Sequence, residues 1–273
     1  MGNFKTTIGN DKEETVLNHG AVIISTGAGS SIPDEYLYGK DDRVMTHLEL
    51  DPMLRRDRDL IKRSDSAVFI QCVGSREPGR PYCSKVCCTH SIKSALDFKE
   101  TNPDMNVYIL YRDIRTYGQR EALYKEARDK GIIFIRYSPE EKPVVTDGGD
   151  HLAVEVKDRI LGMKVSICAD LIVLATALVA NDNTGLAQMF KLSLNDDNFF
   201  MEAHAKLRPV DFATDGIFLA GTAHYPKPVG ECIAQAKAAA SRAVVVLSKE
   251  SVTVDGVVSE INEALCRGCG ACE

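Results

Sequence analysis

The stretch Ala67–Lys93 constrains this chain more than any other. It opens as Ala67-Val68-Phe69-Ile70-Gln71-Cys72-Val73, a short apolar run of the kind that forms a strand buried in a parallel sheet. A nucleotide-binding unit follows such a strand with a glycine-rich turn and a helix. Here the turn has glycines only at Gly74 and Gly79, no G-x-G-x-x-G, and cysteines instead, spaced C-x10-C-x3-C-C at Cys72, Cys83, Cys87 and Cys88. A helix starting near Ser84 would set Cys83 and Cys87 one turn apart, facing one object, with Cys72 closing the set from the strand end. Four such thiolates suit either a tetrahedral zinc or a cubane iron–sulfur cluster. A helix N-terminus also helps to keep thiolates ionised. Buried apolar cysteines are common singly, and the adjacent Cys87-Cys88 pair argues against that reading.

Met1-Gly2-Asn3-Phe4-Lys5 leads directly into polar residues and shows no signal peptide. Nine cysteines in 273 residues then point to a reducing, cytoplasmic compartment and to metal–sulfur chemistry rather than disulfides. Gly2 with Thr6 fits the loose myristoylation pattern, which is short enough to arise by chance. Hydrophobic residues at 44% supply a core for one large or two modest domains. A net charge of −6 with scattered Lys and Arg argues against nucleic acid or an anionic membrane as partner. No apolar run reaches the roughly 18 residues that a membrane span needs.

Residues 4–18 have no clear period. Gly20–Ala28 reads as a turn into a buried strand ending in Thr26-Gly27-Ala28. Gly27-Ala28-Gly29-Ser30-Ser31 imitates a phosphate loop, but its third glycine is missing and Pro33 interrupts the helix that should follow. The Thr-Gly ending resembles instead a motif of two-dinucleotide-domain flavoproteins, which packs beside the cofactor as the chain leaves the flavin domain. A loop (Pro33–Asp42), a strand or turn (Val44–Leu48) and a charged helical patch to Ser64 follow. His47 reads as a satisfied, partly buried residue. After the cysteine helix, Asn102-Pro103 breaks the chain, Val107–Tyr111 is a strand, Gln119–Lys130 a helix and Ile132–Ile135 a strand. The order predicts a right-handed parallel βαβαβ unit. Residues 139–180 read as antiparallel strands, closing with a buried run Asp170–Ala177 that echoes Val22–Ala28 and predicts duplicated dinucleotide-type domains with crossing connections. Cys168 reads as core and Cys232 as packing.

Thr214–His224 is a strand ending in Ala220-Gly221, and an Ala-rich helix (Ile233–Leu247) follows, presenting N–H groups to an anion or a flavin edge. The stretch resembles the second FAD motif of flavin disulfide reductases, with Gly221-Thr222 where Gly-Asp is expected. Thr222 or backbone groups would replace the missing Asp, and His224 and Lys227 in the loop could approach the flavin. The chain closes on Cys266, Cys269 and Cys272, a C-x2-C-x2-C that opens the bacterial ferredoxin cluster motif. Its fourth cysteine would lie beyond Glu273, and no first FAD fingerprint precedes the Thr-Gly strand, so the sequence predicts a piece of a longer polypeptide.

The segments Phe69–Glu77, Tyr82–Cys88, Tyr111–Gly118, Leu207–Asp211 and Leu265–Gly270 together resemble the A-type subunit of heterodisulfide reductase, an oxidoreductase component carrying flavin and iron–sulfur clusters, over essentially the whole chain. The resemblance implies an α/β, thioredoxin-reductase-like two-dinucleotide-domain flavoprotein core, incomplete, with the start of a ferredoxin module at the C-terminus. Expected segments are 1–50 and 181–255 for the FAD domain, 51–180 for an inserted nucleotide-type domain with the cysteine motif, and 256–273 for a truncated 4Fe-4S domain. It implies FAD and 4Fe-4S clusters as cofactors. Cys72, Cys83, Cys87 and Cys88 would ligate one cluster, and Cys266, Cys269 and Cys272 would supply ligands to another. Thr26, Gly27, Gly221, Thr222, His224 and Lys227 would face FAD, with Lys93 as a catalytic cation near the flavin N5 side. Partners would be other subunits of such complexes, an electron-donor protein and a second copy of the chain, with electrons moving between FAD and clusters, in some complexes by bifurcation. Two rivals are an NAD(P)H-dependent disulfide reductase and a non-enzymatic zinc scaffold.

Overall fold

The computed structural model describes residues 2–9, 13–56, 58–251, 260–262 and 264–270. In chain order the strands are β1 (Phe4–Gly9), β2 (Glu14–His19), β3 (Val22–Ile24), β4 (Ala28–Ser30), β5 (Val44–Thr46), β6 (Ser66–Val73), β7 (Asn106–Tyr111), β8 (Ile133–Arg136), β9 (Val144–Asp147), β10 (Leu152–Asp158), β11 (Met163–Ala169), β12 (Leu171–Thr176), β13 (Leu178–Ala180) and β14 (Ile217–Leu219). The α-helices are α1 (His47–Arg56), α2 (Asp59–Arg63), α3 (Cys87–Thr101), α4 (Glu121–Asp129), α5 (Thr184–Phe190) and α6 (Val229–Leu247).

Every residue of β6 is buried, as a strand covered on both faces must be. It sits at the centre of a parallel sheet of order β5-β12-β6-β7-β8. Alternate side chains serve opposite layers. Ala67 and Phe69 meet Leu50, Ile61, Ile92, Phe98 and Ala127 from α1–α4. Val68 and Ile70 meet Val145, Leu152, Val154 and Ile167 from the antiparallel sheet β11-β10-β9. The result is three layers, helices over a parallel sheet over a meander, and β6-α3-β7-α4-β8 is the expected βαβαβ unit.

Four sequence expectations are corrected here. Residues 171–176 enter the parallel sheet rather than joining the antiparallel strands, because Leu171–Ala175 is apolar on both faces. Helix α3 starts at Cys87, not near Ser84, because Lys85 holds φ 62 and a left-handed residue cannot continue a helix. Cys83 therefore lies in the loop before the helix. Cys168 is exposed on the outward face of β11, not core. Residues 4–19, without visible period, form the antiparallel β1–β2 hairpin. Strand β5, which precedes the boundary expected at 50, is an edge of the five-stranded sheet.

Strands β3 and β14 pair in parallel apart from this unit. They bury Ile24, Ile217 and Leu219 against Phe200 and Phe212 on one side, and Phe218 and Ala220 against Ala239 and Ala243 of α6 on the other. The crossing connections that join the two parts, β4 and β13, are hydrogen-bonded to each other as an antiparallel ribbon. Helix α6 begins at Val229, a turn earlier than the sequence suggests, directly after extended Pro228. Among the described residues no helix is long and apolar enough to cross a membrane.

Candidate functional site

Cys72, near the end of β6, takes a left-handed φ of 62°, and Gly74 and Arg76 follow at 68° and 58°. Left-handed non-glycine residues each cost about 1 kcal/mol or more. The turn is held by Ser75 N–H donating to Cys72 O (3.2 Å) and Arg76 N–H donating to Tyr82 O (3.1 Å). This coil returns the chain to the start of α3 and gathers the four cysteines. Cys72, Cys87 and Cys88 are buried and Cys83 is half-buried. Donation to Cys88, together with burial and the other three sulfurs, pushes the Cys87 thiol well above its ordinary value. That same hydrogen bond, with an N–H from Arg115 and nearby arginine charge, outweighs burial and brings Cys88 down to about 7. Burial raises Cys72. Lys85 N–H donates to Cys83 Sγ (3.3 Å).

Arginines surround this pocket. Arg76 faces Cys72 and donates Nη2 to Asp113 Oδ2 (2.6 Å). Arg112, buried, donates Nη1 to the carbonyls of Ser75 (3.2 Å) and Arg76 (2.8 Å). Arg76 Nη1, Arg112 Nε and Thr116 Oγ1 are buried without a hydrogen-bond partner. Sequence reasoning assigned these arginines no role, although Arg112 and Arg115 follow the carboxyl end of β7 beside β6, where ligands of α/β sheets bind.

Four cysteines with arginine and N–H donors around them are a donor set that would suit an anionic iron–sulfur group. Among the described residues no three His, Cys, Asp or Glu side chains are placed to hold a single metal ion. A cubane spreads its thiolates around a larger, negatively charged body and is tuned by N–H and cationic donors to sulfur. Orphaned arginine donors and N–H groups aimed at sulfur are of that kind.

Thr26-Gly27 and Gly221-Thr222 meet at the carboxyl ends of β3 and β14, so closely that a Cβ on Gly27 would lie 3.9 Å from Thr222 Oγ1. Gly27 and Gly221 have φ of 80° and 76°, which glycine adopts freely. Thr26 Oγ1 donates to Asn183 Oδ1 (3.4 Å). His224 and Lys227 are buried beneath the turn with partners inside the protein. Gln235 Oε1 accepts from Gly221 N–H (3.0 Å) and Lys227 Nζ (2.6 Å), and Lys227 also donates to Gly221 O (2.8 Å). Gln235 Nε2 then donates to His224 Nδ1 (2.7 Å), which leaves His224 Nε2–H for Glu202 (2.7 Å). Burial lowers Lys227 to about 8 and also lowers His224. Gln235 was not singled out from the sequence, since its partners are fixed only by the turn. Lys85 on the cysteine loop pairs with Glu231 at the start of α6 (2.7 Å), which also accepts from Tyr117 OH.

A polar cavity of about 680 Å³ is lined by Ser30, Ser31, Asn181 and Asn183 and by Arg80 and Tyr82 of the segment that leads to Cys83. Lys93 is exposed and lines a separate cleft of about 320 Å³ with Asp51, Arg55, His90 and Asp97. Cys266 and Cys269 are exposed, with Gly268 N–H donating to Cys266 Sγ (3.4 Å). Cys272 lies outside the described residues.

No family model matches the chain. A CoB–CoM heterodisulfide reductase iron-sulfur subunit of the A type from Methanopyrus kandleri is 40% identical over 96% of this chain and 43% of its own length. The A-type subunit of the H(2):CoB-CoM heterodisulfide,ferredoxin reductase of Methanothermobacter thermautotrophicus is 39% identical over 96% of the chain and 42% of that protein. Over nearly its whole length the chain is similar to A-type subunits of heterodisulfide reductase. It spans about two-fifths of the length of these relatives. The thioredoxin reductase of Lactococcus lactis superposes with a TM-score of 0.56 at 16% identity, over 91% of this chain and 72% of that one. The T. acidophilum thioredoxin reductase gives 0.53 at 17%, over 88% and 68%. The fold is that of thioredoxin-reductase-like flavoproteins.

Proposed function

We propose that the chain is an electron-transfer module of a heterodisulfide-reductase-type oxidoreductase, placing FAD beside a 4Fe-4S cluster. The observation that carries this reading is the cluster of four cysteines, three of them buried, with arginine donors around it. Cys72, Cys83, Cys87 and Cys88 would ligate the cluster, and Cys266, Cys269 and Cys272 would contribute to a second. The turns at Thr26-Gly27 and Gly221-Thr222 would receive the flavin, Thr222 Oγ1 standing where the motif has a carboxylate, while His224 and Lys227 brace the turn from below. Bound FAD and clusters would supply the redox chemistry, including any bifurcation. The chain supplies ligands, burial and hydrogen bonds. Other subunits of such complexes and an electron-donor protein would be its partners, in a reducing cytoplasm, and the unit from β5 to β12 would form an inserted domain within a flavin domain.

The test is anaerobic purification with iron, sulfide and zinc measured together. About four irons and four sulfides per chain are expected from the internal site, lost when Cys87 and Cys88 are replaced by Ser. Zinc without sulfide in protein that never met oxygen would sink the reading.

A further inference from the structure

The cysteine pocket is bordered on its β7 side by fixed charge rather than apolar core, and we infer that Arg76 and Arg112 set the reduction potential of the group held there by presenting under-compensated positive charge to it. The inference rests on the cluster reading above. Each inner arginine shares its carboxylate with an outer cation. Asp113 binds Arg76 through Oδ2 (2.6 Å) and Arg136 through Oδ1 (2.9 Å). Glu77 binds Arg112 (3.2 Å) and Lys142 (2.6 Å), and Lys142 in turn holds Glu35 (2.7 Å). Arg136, Lys142 and Arg115 thus bring the cations of this shell to two more than Asp113, Glu77 and Glu35 can neutralise.

The excess matters because of where it lies. The outer cations share the carboxylates, and Arg76 Nη1 and Arg112 Nε are buried without a hydrogen-bond partner. A cubane with four thiolates carries two negative charges when oxidised and three when reduced. Adding the electron is therefore easier beside positive charge that no carboxylate cancels, in a site where burial weakens solvent screening. Arg112 also clamps the turn through the Ser75 and Arg76 carbonyls. Arg76, which makes no such backbone clamp, separates charge from scaffolding, so the two arginines act as positioning and tuning residues rather than ligands.

The experiment is a dye-mediated anaerobic redox titration of the full chain with dithionite, followed by electron paramagnetic resonance. Arg76→Gln keeps donors but removes the charge, and its midpoint should move to more negative potential. Arg76→Lys should stay close to wild type. Asp113→Asn frees Arg76 from its carboxylate and should move the midpoint the opposite way. If Arg76→Gln cannot hold iron, the Asp113→Asn shift still decides. Midpoints of Arg76→Gln and Asp113→Asn that coincide with wild type, or move in the same direction, would overturn the inference while leaving the cluster reading intact. A wild-type protein without iron and sulfide would overturn both.

Discussion

His47 shows how much one buried side chain fixes. Its ring lies against His90 at 4.1 Å and Phe69 at 5.9 Å, its Nε2 meets Ser91 Oγ at 2.7 Å, and its Nδ1 has no partner. Burial, and then the facing His90, hold its pKa well below the ordinary value. The unfolded chain takes up a proton near pH 6.5 and the folded chain does not. Stability is therefore full above that pH and falls as pH drops below it, toward the folded pKa. His224, lowered by burial, acts in the same sense. His47→Phe, which keeps the stacking, should reduce the acid-side slope by about 1.4 kcal/mol per pH unit. Urea unfolding at pH 7 and pH 5.5 measures it; an unchanged slope would show that His47 is not the titrating group. At this scale the sequence showed the cysteines, because spacing is local. It hid Arg76, Arg112 and Gln235, whose partners come from other strands and helices and are adjacent only after folding.

At the scale of elements, what could be read was whatever carries its own period or its own apolar excess. β6, β7, β8 and β12 are continuous apolar runs, and all appear as strands; the direction in which β12 pairs was not visible, since direction belongs to the sheet. The β1–β2 hairpin escaped because its side chains are mostly exposed and therefore carry no hydrophobic alternation. The α3 start escaped because helix propensity does not report a left-handed Lys85. Two outcomes follow from helix ends and faces. Helix α5 is capped by Lys191 at φ 55°, ψ 51°, so Lys191→Gly should raise stability by about 0.5–1 kcal/mol, read as a higher urea midpoint with unchanged slope. Phe98 on α3 is fully buried against Phe69. Phe98→Ala should cost about 3–5 kcal/mol, and a loss below about 1 kcal/mol would mean that α3 is not anchored there.

For the molecule as a whole, the two parts are joined along the chain by the β4–β13 ribbon, and the contacts across the seam include Tyr82 against Phe199, Tyr117 OH on Glu231, and Lys85–Glu231, a pair whose side chains are 31% and 36% exposed. Such pairs contribute about 0–1 kcal/mol and weaken with salt. Raising ionic strength should speed amide hydrogen exchange in residues 221–224, and Glu231→Gln should show the faster exchange at low salt with little further response. Exchange indifferent to both would mean that the seam is held elsewhere. A two-stranded ribbon resists being pulled apart but yields to twisting, so twisting at the β4–β13 ribbon would change the distance between the four cysteines and the 221–224 turn. The salt-sensitive lysine–glutamate contact is one of the interactions that oppose such a change. Whatever crosses that distance would be influenced by the ions in the surrounding water.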